Sequence, residues 1–340
     1  MSASRGSQER GLSFWLLCGA VCVLYTQRRL RRHDERCRSG GVSFDMPDVT
    51  KAIIPAAGFG TRMYPATRAV KKELFPIIDS TGLAKPIIQV IIEEAVESGI
   101  QEVCLITQPG DETVFRSYFE GVLDPALEAK LDAKDWAREE TRRLRDLSSR
   151  LSYVEQVPQD GFGHAVNCCR DWVGGDPCLL MLGDHLYSSS SGKRCARQLL
   201  DVYESTPRTV VAVERSSEDQ LHLCGTVGAA AGRERVYDVT EFKEKPSVEY
   251  ARENLMVQGN PERPYLCVFG QYVLSPGVFD ALHYCVAHDI REGGEIQFTG
   301  ALEMARQQEG GALAYETDGK RFDTGVPAEY VRTVAEFAKS

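Results

Sequence analysis

Apolar and polar positions along the chain alternate between strand-like and helix-like patterns. Residues 51–57, KAIIPAA, form a short apolar run ending at glycine, as a buried parallel strand feeding a loop does. Residues 85–98 put Ile87, Ile88, Ile91, Ile92, Ala95 and Val96 on one face and charge on the other, with Pro86 in the first turn and Gly99 past the end. That pattern predicts a helix. Strand-like runs recur at 102–107, 151–156, 178–183, 209–214 and 266–274, separated mostly by helical stretches, including a charged one at about 125–148. The alternation predicts an α/β fold: a doubly wound, mixed but mainly parallel sheet flanked by helices, Rossmann-like, with ligands at the carboxyl ends of strands. No internal repeat is visible, and the low-complexity piece is 188–191.

Composition adds a boundary. The 340 residues are 43% hydrophobic and 26% charged, an ordinary globular balance, and the formal charge of −9 argues against an open nucleic-acid surface. Residues 1–50 hold eight Arg and five Asp or Glu, so they carry +3 and the remainder −12. This divides the chain into an N-terminal extension, 1–50, and a folded domain, 51–340. The extension has an apolar stretch at 12–26, about 15 residues and short of the roughly 20 that cross a bilayer, followed by an Arg cluster and a flexible joint at Gly40-Gly41. Three readings of it stand open: a signal anchor touching a membrane through 12–32 alone, an organellar targeting sequence, and a disordered extension. The domain itself is expected in the cytoplasm. Eleven Cys, odd in number and without a CxxC pair, read as reduced buried thiols.

The loop Ala56-Ala57-Gly58-Phe59-Gly60-Thr61-Arg62 follows the first strand, where glycines let backbone N–H groups approach a phosphate. A dinucleotide fingerprint is excluded, because Met63 stands where the third Gly belongs and Pro65 and Pro76 would break the required helix. Four cations, Arg62, Arg68, Lys71 and Lys72, crowd this stretch of an acidic body. Arg68 and Lys71 read as solvated; Arg62, behind the turn, and Lys72 are the candidates for phosphate.

The stretch KAIIPAAGFGTRMYPATRAVKKELFPIID resembles the signature of the sugar-1-phosphate nucleotidyltransferases, most closely the bacterial-type UTP–glucose-1-phosphate uridylyltransferases, with Arg68 in place of the first Lys of their pattern. The likeness runs from about residue 51 to the C-terminus. It implies a nucleotide-binding loop of Ala56, Ala57, Gly58, Gly60 and Thr61, and a small sugar-binding β subregion. Gln156, with Gly161 shortly after it, is similar to the family's pyrimidine-reading pair, and a side-chain amide both donates and accepts, as a uracil edge requires. Asp184 and Asp323 each follow an apolar run. Their separation proves nothing, but the resemblance makes them the two Mg²⁺ ligands, and hard carboxylate oxygens suit that ion. Gly225 and Glu244 match sugar-binding residues and Lys245 a contact to the sugar phosphate, while Gly294-Glu295-Ile296-Gln297 matches a sugar-side or helix-capping motif. His164 reads equally as a capping residue or a ligand; His185 reads as packing beside the site.

The resemblance thus implies an enzyme that makes UDP-glucose and pyrophosphate from UTP and glucose 1-phosphate, with Arg62, Lys72 and Lys245 as the catalytic cations. It implies homo-oligomers, dimers or tetramers, and no nucleic-acid partner. Alternatives are a thymidylyltransferase, another hexose 1-phosphate, and a non-catalytic sugar-nucleotide-binding regulator. The regulator is disfavoured because no essential cation or acid is missing.

Overall fold

The computed structural model describes residues 48–230 and 232–340, which fall in one unit, Pro47–Ser340. The apolar stretch 12–26, the Arg cluster and the Gly40-Gly41 joint lie outside the described residues. Among those described, the strands in chain order are β1 (Lys51–Pro55), β2 (Pro76–Ile78), β3 (Ala84–Pro86), β4 (Glu102–Thr107), β5 (Leu151–Glu155), β6 (Cys178–Met181), β7 (His185–Ser189), β8 (Val210–Ser216), β9 (Thr226–Ala229), β10 (Val236–Lys243), β11 (Tyr265–Leu274), β12 (Leu313–Glu316) and β13 (Gly319–Asp323). Nine of them form the main sheet in the order β5-β4-β1-β6-β11-β8-β12-β10-β9. Pairing makes β11 and β10 run against the other seven, giving the mixed, mainly parallel sheet that the pattern predicts.

Both faces of this sheet are covered, which is why β1 reads as a continuous apolar run. Ala52 and Ile54 point into one core with Ile87, Ile88, Ile91 and Ile92 of the helix Ile87–Glu97. Ile53 and Ala57 point into the other, with Ala165, Val166 and Phe298. From β1 the chain moves to β4 and β5 on one side, whereas β6 lies on the other side of β1. The crevice opens where the order reverses, so the loops after β1 and β6 face it.

Two predicted elements differ in detail. The first helix begins at Ile87, because Lys85 and Pro86 belong to β3. The charged stretch is two helices, Pro125–Asp132 and Asp135–Ser149, with Asp124 capping the first through Ala126 N–H at 2.9 Å. The eight described cysteines are free thiols, six of them buried. No helix among the described residues is long and apolar enough to cross a membrane.

Lys85 sits at the centre of a buried ion network that ties the segment after β2 to the first helix. Its side chain is only 3% exposed, and Nζ lies 3.0 Å from Asp79 Oδ2 and 3.0 Å from both oxygens of Glu93. Burial opposes the charge on Asp79, but Thr81 and Lys85 outweigh it and hold the carboxyl below its ordinary range. The folded chain therefore refuses a proton that the unfolded chain binds, and stability from this pair is lost as the pH falls into the acid range. Lys85→Met, which strands the buried carboxylates, is expected to cost about 3–5 kcal/mol in urea unfolding at neutral pH. The loss should shrink at acid pH, where those carboxylates are protonated.

Candidate active site

The loop after β1 forms the floor of the site. Ala56 and Ala57 are buried, with the Ala56 N–H bonded to the Ile106 carbonyl at 2.7 Å, and the chain then emerges at Gly58. Gly60 is left-handed and opens a single 3₁₀ turn, Thr61–Met63, closed by Met63 N–H to the Gly60 carbonyl at 2.9 Å. Thr61 and Arg62 stand on the exposed side of that turn. Lys71, expected to be solvated, is ion-paired with Asp111, while Arg68 is exposed.

Asp184 and Asp323 come together through a short antiparallel pairing of β13 with β7, in which Asp323 faces His185. Thr324 fastens the junction from its backbone N–H (2.9 Å) and its hydroxyl (2.7 Å), both donating to the Asp184 carbonyl. The Gly325 N–H donates to Asp323 Oδ1 at 2.6 Å. A Cβ on Gly325 would stand 2.8 Å from Asp184 Oδ2, 3.0 Å from Arg62 and 3.1 Å from Asp323 Oδ1, so a side chain there would displace these charged groups. His185 Nε2 lies 4.0 Å from Asp184 Oδ1 and 3.8 Å from Asp323 Oδ2, between the two acids. Its ring backs onto Gly270 of β11, where a Cβ would be 2.6 Å from Nδ1.

Lys72 reaches this pair from the other side, its Nζ 2.7 Å from Asp184 Oδ2 and 3.7 Å from Glu73, with Arg62 at 4.0 Å from the same Asp184 oxygen. Burial alone would lower the Lys72 ammonium, but Asp184 and Glu73 outweigh it and raise it above the ordinary lysine range. Burial alone would raise Asp184; Lys72 and His185 overcome it and hold the carboxyl below its usual range. Asp323 is lowered in the same way, against burial, by His185, the Gly325 N–H and Arg321. Burial pushes Glu73 up to about 7, and its Oε2 has no hydrogen-bond partner among the described residues. At neutral pH the cluster therefore presents two ionised carboxylates beside fixed cations.

Gln156 follows β5 and is buried, with its N–H bonded to the Thr107 carbonyl at 2.8 Å. Its side-chain amide donates to the Gly161 carbonyl at 3.1 Å and meets His164 Nδ1 at 3.2 Å. The loop beneath it rests on the 291–297 segment. Arg291 grips both oxygens of Asp160 at 2.5 and 2.7 Å, Ile296 N–H donates to the Asp160 carbonyl at 3.0 Å, and Gly163 N–H donates to the Ile296 carbonyl at 2.9 Å. A Cβ on Gly161 or on Gly163 would come within 2.8 Å of that Ile296 carbonyl. The Gly294–Gln297 motif is thus a backbone support for the Gln156 loop, and Gln297 precedes the helix Phe298–Gln308 without a side-chain cap.

A third group lies around Gly225. A Cβ there would be 3.3 Å from Glu244 Oε2, 3.4 Å from Val268 and 3.8 Å from Thr299, whose hydroxyl donates to that Glu244 oxygen at 2.7 Å. Lys245 stays with this group, 3.9 Å from Glu244, more than half exposed and left-handed at φ 39°. A non-glycine residue held there stores backbone strain, which concentrates at functional sites. Arg321 pairs with Glu214 at 2.8 Å and donates to the Val268 carbonyl at 3.5 Å beside this group. Arg62, Lys72, Asp184 and Asp323 are therefore gathered in one cluster, Gln156 and Gly161 in a second, Gly225, Glu244 and Lys245 in a third.

Residues 51–340 match the family described as Nucleotidyl transferase. The chain belongs to the nucleotidyl transferase family. It is 35% identical over 295 residues, 86% of this chain and 92% of the other, to a UTP–glucose-1-phosphate uridylyltransferase of Bacillus subtilis (strain 168). Among solved structures it resembles a UDP-glucose pyrophosphorylase complexed with UDP-glucose, at 27% identity and a TM-score of 0.68, covering 86% of this chain and 99% of that one. It also resembles a UTP-bound UGPase from Acinetobacter baumannii, at 26% identity and a TM-score of 0.66, covering 85% and 93%.

As a nucleotidyl transferase the molecule carries supports whose roles the motifs did not assign: Thr324 and Gly325 clamp the acids, Arg291 and Ile296 carry the Gln156 loop, and Thr299 and Arg321 flank Gly225. The Thr324-Gly325 pair directly after an acid was a readable turn signal, whereas no spacing connects Arg291 to Asp160. Gly325→Ala is expected to lower nucleotidyl transfer about 100-fold, as misplacement of reacting groups by about 1 Å does, while the unfolding midpoint moves little. Pyrophosphate release and urea unfolding on the same preparation check both halves.

Proposed function

We propose that this nucleotidyl transferase joins UTP and glucose 1-phosphate to give UDP-glucose and pyrophosphate, at the crevice beside β1 and β6. The observation that carries the reading is the gathering of Arg62, Lys72, Asp184 and Asp323 at the carboxyl ends of those strands. The Bacillus subtilis relative's name and the two bound ligands of the solved neighbours support the substrates.

A sugar phosphate is a competent nucleophile near neutral pH, so no general base is needed. One of its oxygens forms a bond to the α-phosphorus of UTP, the α–β bridging P–O bond breaks, and the electron pair leaves on pyrophosphate. Positioning and charge stabilisation supply the acceleration. In this reading Ala56, Ala57, Gly58, Gly60 and Thr61 line the triphosphate and Arg62 steadies its β- and γ-phosphates. Lys72 offsets charge at the α-phosphate. Gln156 and Gly161 hold the base, Gly225 and Glu244 hold the glucose hydroxyls, and Lys245 aligns the incoming phosphate.

The donor set fits Mg²⁺. Asp184 and Asp323 are hard carboxylates brought together where β13 pairs with β7. Two protein ligands, with phosphate oxygens and water completing the shell, is this ion's habit. When bound, Mg²⁺ would neutralise phosphate charge during the transfer. Residues 1–50 are read as an extension outside this domain, supported by the family match starting at residue 51, and the active form as a dimer or tetramer by resemblance.

Asp184→Ala and Asp323→Ala are each expected to lower kcat for pyrophosphate release about 10²–10³-fold with the fold intact. Near-normal release by Asp184→Ala would overturn the assignment. In the unmodified protein, EDTA should abolish the reaction and Mg²⁺ restore it. An assay matrix of UTP, dTTP, CTP and several hexose 1-phosphates, in which another pair outran UTP with glucose 1-phosphate, would overturn the substrate reading.

A further inference from the structure

We infer that His164 is a positioning residue that fixes which end of the Gln156 amide faces the base, and so selects bases with a proton on N3. The inference rests on the reading of Gln156 as the base contact. Both donors of the amide nitrogen are spoken for inside the protein: one meets the Gly161 carbonyl at 3.1 Å, the other His164 Nδ1 at 3.2 Å. A primary amide has two N–H donors and one acceptor oxygen, so Oε1 alone is left for a ligand.

The Gly161 carbonyl can only accept and so favours this orientation, and His164 Nδ1 occupies the second N–H of the same amide nitrogen. The terminal torsion of a glutamine is soft, so a half-turn of the amide is otherwise nearly free. Reversed, it would point Oε1 at the Gly161 carbonyl, a repulsive contact, and would lose the Nε2 contact to the imidazole unless His164 also changed tautomer. Nδ1 is also approached by the Cys168 thiol, 3.8 Å away and one helical turn on. His164 acts here in the tautomer in which Nδ1 accepts from the Gln156 amide. The backbone beneath His164 cannot drift, because Gly163 is bonded to Ile296 and Arg291 holds Asp160.

An exposed acceptor suits uracil, whose N3–H donates to it. Cytosine presents an unprotonated N3 at the same position, leaving two acceptors facing each other, and buried polar groups without partners are costly. Thymine-type bases keep N3–H, so this device does not separate them from uracil. Base selection is thereby split: the amide's orientation rejects cytosine, and the room around C5 governs the methyl group.

Steady-state kinetics on the full chain with UTP, 5-methyl-UTP and CTP test this for wild type, His164→Ala, His164→Asn and Gln156→Ala. His164→Ala is expected to raise KM for UTP about tenfold with kcat and KM for glucose 1-phosphate within about twofold. Its preference for UTP over CTP should fall about tenfold while the UTP to 5-methyl-UTP ratio is unchanged. His164→Asn, whose amide oxygen can take the place of Nδ1, should recover most of the preference. Wild-type KM and UTP to CTP preference in His164→Ala would overturn the inference, as would equal weakening of all three nucleotides without rescue by Asn. If instead Gln156→Ala leaves the UTP to CTP preference intact, the base-contact reading of Gln156 itself falls.

Discussion

Two carboxylates brought within about 4 Å of one imidazole repel each other, and most of the site's construction is an answer to that repulsion. Lys72 neutralises one acid by direct contact at 2.7 Å, and the Gly325 N–H and Arg321 relieve the other. The pairing of β13 with β7 keeps the acids together at fixed separation, and Thr324 prevents that strand from slipping. Remove any one of these restraints and the remaining charges lose their reason to stay where they are.

The mixed sheet follows from the same requirement. The parallel strands β5, β4, β1 and β6 deliver Gln156, the glycine loop and Asp184 to one edge, as a doubly wound sheet does. A parallel sheet alone has no wall on the far side. The reversed strand β11 supplies it, with Val268 beside Gly225 and Gly270 giving His185 the space to lie between the acids.

Legibility divided along the same line. β1, its glycine loop and Lys72 lie close to one another in a local pattern, and their residue types already carried the chemistry, whereas the strand-end Asp184 took its role from the resemblance. Asp323 could be linked to Asp184 only through the resemblance, because a two-stranded contact across 139 positions leaves no periodic trace. The split of the charged helix at 133–134 was hidden because both halves are solvated and polar. Gly161 was legible only through the resemblance and Gly163 not at all, because both are close approaches to the Ile296 backbone, which arrives more than 130 residues later. Gly294–Gln297 does end at the residue that precedes the helix Phe298–Gln308, as the capping reading expects, but its support of the Gln156 loop runs through backbone, which has no side-chain signature. His164 showed a polar residue at a helix start, and only the three-dimensional neighbourhood of Gln156 gave it a direction.

The late arrival of these supports has a consequence for biosynthesis. The glycine loop, Lys72, Gln156 and Asp184 leave the ribosome in the first 184 residues, but the props beneath the Gln156 loop are translated at 291–297 and the second acid at 323. A nascent chain can close the strands β5, β4, β1 and β6 long before these supports exist. The juxtaposition of Asp184 with Asp323 therefore waits on β13, the strand that pairs with β7 after the strands of the main sheet have been made.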